Sequence, residues 1–229
     1  MRVLAIDTSC GACSVAVYDG NARESIARES RLMARGHSEA LAPMIERLMK
    51  DVEGGFPGLG RVSVCIGPGS FTGIRVGIAM ARAIALTLEI PVIGVSTLVA
   101  FAAPLLETPR PGVIAAAIDA RHGSVYFQLF EAGGRSMFGP RVTTLRDALR
   151  AIGGGPARLC GDAALMLAEE AQRHGGDFDA SEAVPYPDVA SVARIGLVAD
   201  SDAWPARPLY VKAPDAQPSS GDALPRAEG

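Results

Sequence analysis

The sequence predicts an α/β protein built from two similar lobes. Three strands followed by helices occur twice along its 229 residues, and each copy opens with Ala-Ile-Asp, at Ala5–Asp7 and at Ala117–Asp119. Such repetition is typical of an internal duplication. With 48% hydrophobic and 21% charged residues, the chain can bury a full core. We therefore predict a duplicated βββαβα fold, with lobes at 1–106 and 107–213 and a flexible tail at 214–229.

The first lobe opens with three predicted strands and a helix. Alternating apolar residues favour strands at 2–7 and 13–19, and Gly20-Asn21 is a hairpin signal that leads into a more polar strand at 22–32. A helix is predicted from 37 to 50. Apolar residues recur in it at three- and four-residue steps, at Leu41, Met44, Ile45, Leu48 and Met49.

A glycine-rich loop lies between the apolar strand 62–66 and an Ala-rich helix at 73–88. Ser70 and Thr72 are placed to cap this helix. Since a helix N-terminus attracts anions, the loop residues Gly67, Gly69, Ser70 and Gly73 are candidates for binding phosphate. A tight turn without a ligand explains the loop equally well. The glycine spacing matches neither a Walker loop nor a dinucleotide fingerprint. A strand at 91–95 and a helix at 96–106 complete the lobe.

The second lobe repeats this order. Strands are predicted at 113–119, at 125–131 and within 136–143, followed by a helix at 144–152 that starts with an approximate capping box. A strand-to-helix turn at 158–162 leads into an amphipathic helix, and a last helix is predicted at 188–199. The apolar residues of this amphipathic helix are Leu165, Leu167, Ala168 and Ala171.

The duplicated lobes point to the architecture of the actin, sugar kinase and Hsp70 superfamily. In that superfamily an Asp at the end of each lobe's first strand faces the phosphates and metal of a nucleotide. Asp7 and Asp119 occupy these places and are predicted to contribute to a nucleotide site. The alternative is that each carboxylate caps the turn that follows it.

Charge and cysteine usage restrict the classes of function. The net charge is −3 and no cluster of Lys or Arg is present, so tight RNA binding by this chain alone is not expected. The first residues do not resemble a signal peptide, and no apolar run of membrane length is free of Gly, Pro and charge, so we expect a cytoplasmic protein. Cys10, Cys13, Cys65 and Cys160 are interpreted as reduced packing residues.

Several motifs resemble those of the TsaB family, also called YeaZ. They are Ala5-Ile-Asp-Thr-Ser9, Gly36-His-Ser-Glu39, Gly67-Pro-Gly-Ser-Phe-Thr-Gly-Ile-Arg-Val-Gly77, Gly94-Val-Ser-Thr-Leu98, Ile118-Asp-Ala-Arg121 and Pro208-Leu-Tyr-Val-Lys212. The last has Lys where the family has Arg. The resemblance implies a role in making N6-threonylcarbamoyladenosine on tRNA, as a subunit that binds the TsaD transferase, with a TsaE-like ATPase completing the complex. tRNA would be contacted only through that complex.

One departure from the related transferases predicts that the chain is not itself catalytic. TsaD proteins carry a metal-binding His-x-x-x-His pair, and the aligned positions here are Thr97 and Phe101. Neither can replace an imidazole ligand. No catalytic or metal-ligating residue is therefore predicted, and His37 is expected to cap or hydrogen-bond at its helix start. Ser38, Ser70 and Ser96 are interpreted as helix caps. No cofactor is required, and ATP or ADP at the complex interface is left open.

The resemblance also implies that the first two helices contact TsaD, and that the isolated chain uses them to form a homodimer. The residues predicted to make this interface are Leu41, Met44, Ile45, Leu48, Gly77, Ala81 and Ala85. The alternative is that both helices only cover the sheet. A small-molecule kinase and a metallopeptidase are competing functions; the small lobes argue against the first and the missing histidine pair against the second.

Overall fold

The computed structural model describes residues 1–212 and contains two mixed β-sheets. The first sheet has the order β3-β2-β1-β4-β5. Strand β2 runs antiparallel to both of its neighbours, β1 and β3, whereas β4 and β5 run parallel to β1. The strand bounds are β1 Arg2–Asp7, β2 Ala12–Asp19, β3 Glu24–Leu32, β4 Leu59–Cys65 and β5 Val92–Val95.

Helices α1 (His37–Lys50) and α2 (Phe71–Leu88) pack on one face of the first sheet. Successive side chains of a strand point to opposite faces, so β1 divides its apolar residues between two cores. Leu4 and Ile6 pack with α1 and α2, whereas Val3 and Ala5 lie in the core on the other face. Both faces of this sheet are therefore covered by protein.

The second sheet has the order β8-β7-β6-β9. Its helices α4 and α5 share one core with residues of β6, β7 and β9, and helix α3 packs on the opposite face. The bounds are α3 Thr97–Leu106, β6 Val113–Asp119, β7 Ser124–Glu131, β8 Arg141–Thr144, α4 Leu145–Ile152, β9 Ala157–Cys160, α5 Ala164–Arg173 and α6 Val189–Val198.

Each half of the chain supplies one helix to the sheet of the other half. Helix α3 follows the first sheet but buries Phe101 against the second, and α6 follows the second sheet but buries Val192 against the first. The approach of α6 is close: a Cβ built on Gly196 would lie 2.4 Å from the Ser63 Cβ. The lobe boundaries at 106 and 213 stay predictions, and the tail at 214–229 lies outside the described residues.

The predicted fold class and order of elements are confirmed, and the differences are local. The third strand of the second sheet lies at Arg141–Thr144, and Ser136 makes only an isolated bridge with Phe130. Leu165 belongs to the apolar pattern of the predicted amphipathic helix but is 59% exposed. The inner side of α5 is centred on Ala164 and Ala171, and at 100° per residue Leu165 falls outside it.

Among the predicted caps, Ser70 and Thr144 make side-chain capping bonds, Ser96 is an N-cap without one, and Ser38 and Thr72 lie inside their helices. Ser70 is the N-cap of α2 and accepts a hydrogen bond from the Gly73 N–H at 3.2 Å. The N-cap of α1 is Gly36 instead of Ser38, and Ser96 at the start of α3 makes no side-chain capping bond. Ser38 donates its hydroxyl to Glu39 Oε2, so a neighbouring carboxylate occupies it.

Candidate functional site

The loop between β4 and α2 packs tightly on the turn between β1 and β2. The Ser70 N–H donates to the Ser9 carbonyl at 2.8 Å, and Thr8 Oγ1 donates to the Gly73 carbonyl at 2.7 Å. A Cβ built on Gly69 would lie 2.2 Å from Ser9 O, and one on Gly73 would lie 2.0 Å from Thr8 O. These glycines are therefore required by the close approach of two backbone segments.

The loop directs its donors at other protein groups. The N–H groups of Ser70 and Gly73 bond to Ser9 O and Ser70 Oγ, and the Gly67 carbonyl accepts from the Thr97 N–H at 2.8 Å. These two N–H groups are engaged inside the chain, which corresponds to the ligand-free turn considered above. Phosphate binding by the loop stays a prediction.

Asp7 stabilises the turn that follows β1. Its side chain is fully buried, and Oδ1 accepts from the Ser9 N–H at 2.9 Å and from the Ser9 hydroxyl at 2.5 Å. Within residues 1–212, Oδ2 is buried without a hydrogen-bond partner. Burial raises the pKa of this carboxyl above its usual range, and the two Ser9 bonds oppose that rise. The described contacts are those of a turn cap, and a role in nucleotide binding stays a prediction.

Asp119 makes the same turn contact in the second lobe but is exposed. Its Oδ1 accepts from the Arg121 N–H at 2.7 Å, two residues on, as Asp7 does from Ser9. Its own N–H donates to Asp162 Oδ1 at 2.8 Å. Desolvation raises the pKa of Asp162 to about 6; the Asp119 N–H opposes this rise and the Asp119 charge adds to it. Sequence reasoning missed Asp162, although it ends the predicted 158–162 turn.

The positions aligned with the transferase histidines are packed inside the chain. Thr97 is fully buried and Phe101 is 2% exposed, and both belong to α3. The three histidines are dispersed over the α1 start, the β6–β7 turn and the α5 end, at His37, His122 and His174. Residues 1–212 contain no group of three or more His, Cys, Asp or Glu side chains that could hold a metal.

The four cysteines are free thiols, and three of them are buried. Burial raises the pKa of the Cys13 thiol to about 11, and it raises the pKa of the other three as well. These are packing cysteines, as the sequence indicates.

The side chains predicted to contact a partner instead cover the chain's own sheet. Six of the seven residues are at most 6% exposed, and Gly77 is buried as well; all lie in the core on the helical face of the first sheet or line its contact with α2: Leu41, Met44, Ile45, Leu48, Gly77, Ala81 and Ala85. A side chain without exposed surface cannot contact a second protein, so this set is corrected. Contact with a partner through α1 and α2 stays a prediction, and exposed residues of these helices would have to make it.

The outer side of α2 is mostly uncharged. At 100° per residue, the side opposite the buried stripe includes Arg75 and Arg82 at one edge, and its uncharged residues are Thr72, Val76, Ala79, Met80, Ala83, Leu86 and Thr87. Leu86 is 81% exposed. Among the helices of residues 1–212, α2 alone has the length and mean hydropathy, 1.4, of a membrane span, yet a third of it is buried against the sheet as in a core helix. We call this set the α2 outer face.

The two cations of α2 lie at the edge of its exposed side and bind the C-terminal segment. Arg82 Nε donates to the Ala206 carbonyl at 3.0 Å, and Arg75 Nε donates to the Tyr210 hydroxyl at 2.9 Å. The Arg75 guanidinium also lies 3.8 Å from the centre of the Phe71 ring, which stacks on Tyr210. These contacts hold the two charges against the C-terminal segment, at the edge of the uncharged α2 outer face.

Comparisons with known proteins agree with this architecture. A family model described as TsaD, tRNA N6-adenosine threonylcarbamoyltransferase, matches residues 29–191. TsaB of Escherichia coli is 37% identical over 131 residues, 57% of this chain and 55% of that protein. TsaB of Bacillus subtilis is 35% identical over 133 residues, 57% of this chain and 56% of that protein. The chain thus matches little more than half the length of these relatives.

A longer match and a solved structure cover nearly the whole chain. An uncharacterised protein of Mycobacterium tuberculosis is 32% identical over 221 residues, 94% of each chain. The structure of YeaZ from Pseudomonas aeruginosa superimposes with a TM-score of 0.73 at 23% identity, covering 91% of this chain and 99% of that one. At this identity the structure supports the fold alone. Since the family model covers well over half of the chain and the named relatives are TsaB proteins, the chain belongs to the TsaD family, among its TsaB (YeaZ) members.

Proposed function

We propose that this chain is a non-catalytic scaffold subunit in the synthesis of N6-threonylcarbamoyladenosine on tRNA, and that it binds and activates a TsaD-type transferase through the α2 outer face. The relatives at 35–37% identity are named for that pathway. The single observation that carries the proposal is an 18-residue helix whose exposed side has no acidic residue and whose two arginines are engaged by the C-terminal segment, so that the rest of this side is uncharged.

A helix surface with an uncharged centre is the kind of surface that a partner protein covers. Contiguous apolar surface is uncommon on monomers, and the centre of a protein interface is depleted of charged residues. Met80 adds a flexible, polarisable side chain that adapts to a partner. Val76 and Met80 also pack against the core, so the face is held rigidly for docking.

The proposal assigns the chemistry to the partner. Thr97 and Phe101 stand where the transferase histidines align, and both are buried in α3, where they cannot coordinate a metal with an open position. We propose that a TsaE-like ATPase joins the same complex and that nucleotide is not required by this chain. In the isolated chain the α2 outer face can pair with its copy, which gives a homodimer that competes with the transferase.

The test is the Ala83→Glu substitution, which places a carboxylate at the centre of the α2 outer face. Ala83 is exposed, so the variant should fold, as judged by an unchanged thermal transition. We expect loss of co-purification with the TsaD-type protein of the same organism and loss of modified tRNA in the reconstituted system. Desolvating one unpaired charge at an interface weakens binding by about a hundredfold.

The matched control is Met166→Glu, on the exposed side of α5 in the second lobe. It adds the same charge to the equivalent helix and should leave partner binding unchanged. Normal binding by a folded Ala83→Glu variant would remove α2 from the interface. Transfer of threonylcarbamoyl to tRNA by the purified chain without a second subunit would overturn the non-catalytic role.

A further inference from the structure

Strand β3 forms an open edge of the first sheet. It stands at the end of the order β3-β2-β1-β4-β5, and no strand of residues 1–212 pairs with its outer side. With nine residues, Glu24–Leu32, it is more than twice as long as β8, which ends the second sheet with the four residues Arg141–Thr144. A long edge strand exposes a row of backbone donors and acceptors to which another strand can bond.

The hydrogen-bond register shows which residues of β3 face the open edge. Gly11 and Met33 continue the pairing of β2 with β3, and the Met33 N–H donates to the Gly11 carbonyl at 3.0 Å. In an antiparallel pair such bonded positions alternate, so the odd-numbered residues at this end of β3 bond to β2. Arg28, Ser30 and Leu32 therefore direct their N–H and C=O groups away from the sheet.

The side chains of the same three residues line a groove of about 500 Å³. Its other wall is the segment 184–189, which leads into α6. Leu32 is 67% exposed and Val184 is 45% exposed, so the groove has accessible apolar surface. The one carboxylate in its lining, that of Asp188, is the N-cap of α6 and accepts from two N–H groups of the first turn. The groove thus lies beside the outward backbone groups of β3.

Arg28 and Arg31 give this edge an unbalanced positive charge. Both are exposed, and as strand residues of opposite parity they point to opposite faces of the sheet. Within residues 1–212 neither makes an ion pair or a side-chain hydrogen bond. Glu29, the acidic residue between them, is already paired with Arg47 at 2.7 Å. A strand that approaches this edge would therefore meet two unpaired cations.

We propose that β3 binds an extended acidic peptide segment of a partner protein, which adds to the first sheet as a further strand. In this mode of recognition the backbone bonds supply affinity and alternate side chains supply specificity. An antiparallel direction is favoured, because antiparallel pairs are more stable per residue. Acidic side chains would lie opposite Arg28 and Arg31, and an apolar one opposite Leu32.

An acidic peptide suits this edge better than a second copy of the chain does. A second copy would bring the same two arginines to the edge, and cations on an edge strand oppose pairing between copies. The site also lies on another element than the α2 outer face. It therefore does not depend on the proposed scaffold function, and the two proposals can fail separately.

The test is a titration of the isotope-labelled full chain with an acetylated and amidated peptide, Val-Glu-Thr-Thr-Glu-Thr-Val. In the antiparallel register its glutamates fall opposite Arg31 and Arg28, and its first valine falls opposite Leu32. We expect saturable binding, with slower hydrogen exchange of the Arg28, Ser30 and Leu32 amides in the complex. The Glu29 and Arg31 amides bond to β2 and should be protected in both states. A peptide with lysine for both glutamates should bind at least about tenfold more weakly.

Ser30→Pro tests the backbone contact. It removes an N–H that points to the open edge, and proline is tolerated on an edge strand because no bond to β2 is lost. Binding should weaken by about fivefold. If the thermal transition shows that this variant does not fold, Arg28→Gln replaces it, at an exposed side chain without a described contact. That change should weaken binding by about threefold through the loss of one surface ion pair.

The matched control is Arg141→Gln, which removes the same charge from β8 at the edge of the second sheet and should alter the affinity by less than about twofold. Binding of the peptide without protection of the three outward amides, or equal binding of the lysine peptide, would overturn the proposal. Protection of these amides in the absence of peptide would do so too, since a second copy would then occupy the edge. Single-stranded oligouridylate is the last probe: tighter binding than the acidic peptide, with the same dependence on Arg28, would assign the arginines to nucleic acid instead.

Discussion

Helices α2 and α5 occupy the same place in the two halves of the duplicated fold but present different surfaces. Each follows a glycine turn after the strand that pairs in parallel with the first strand of its sheet, and each packs small or branched apolar residues on that sheet. The exposed side of α5 carries Glu169, Gln172 and Arg173, whereas the α2 outer face is uncharged. The inner side of each helix is dictated by the sheet, so the outer side is where a difference in function becomes visible.

The turns before the two helices show what the duplication retains. A Cβ built on Gly73 would lie 2.0 Å from the Thr8 carbonyl, and one on Gly161 would lie 2.0 Å from the Ala117 carbonyl. In both lobes the glycine turn packs against the end of the first strand. The close approach is thus a requirement of the fold, and it does not by itself indicate a ligand.

The largest effect is expected from Ala81→Glu, on the inner side of α2. Ala81 is fully buried in the core beneath the helix, so the new carboxylate would have neither water nor a partner. We expect a loss of about 4 kcal/mol in the free energy of unfolding. Urea denaturation measures it, and Ala83→Glu on the outer face should change it by less than about 0.5 kcal/mol. Equal destabilisation by both would contradict the division of α2 into two sides.

The next effect is expected from Gly73→Ala, where the fold opposes helix propensity. Alanine favours a helix over glycine by about 1 kcal/mol, yet its Cβ would collide with the Thr8 backbone. We expect a net destabilisation of about 3 kcal/mol, seen as a lower urea midpoint. Gly155→Ala is the control, because nothing lies within 4 Å of its Cβ position. A stabilised Gly73→Ala variant would show that the turn can relax.

The sequence predicted the fold to the level of single elements, because periodicity and turn residues act locally. The strand ending at Asp7 and the Ser70 cap follow from such local patterns. The side of α2 that faces the sheet could not be assigned, since apolar residues surround the helix and only packing selects the inner stripe. The exchange of α3 and α6 between the sheets, and the position of Asp162 beside Asp119, depend on contacts distant in sequence.

A smaller effect, dependent on pH, is expected from Asp162→Asn at the strand ends of the second lobe. The pKa of Asp162 is raised from 3.8 to about 6 by folding. Between these two pH values the Asp162 carboxyl is deprotonated in the unfolded chain but still protonated in the folded chain. The contribution of Asp162 to the free energy of unfolding therefore falls as pH rises from about 4 to about 6 and is constant above that. Asparagine can still accept from the Asp119 N–H and does not titrate. The variant should therefore match the parent near pH 4 and exceed its thermal midpoint above pH 6.

The control for this comparison is Asp177→Asn, an exposed substitution in the turn after α5. Its stability should run parallel to that of the parent across the same pH range. Parallel curves for Asp162→Asn as well would mean that folding does not raise the pKa of Asp162.

The smallest effect on stability is expected from a matched pair on the two outer surfaces, Leu86→Lys on α2 and Leu165→Lys on α5. Leu86 is 81% exposed and Leu165 is 59% exposed, so each change should alter the free energy of unfolding by less than about 0.5 kcal/mol. Binding to a TsaD-type partner should separate them, because only Leu86 lies on the proposed interface. A pull-down in which both variants bind normally, or in which Leu165→Lys is the weaker, would mean that the uncharged α2 outer face has another cause than partner binding.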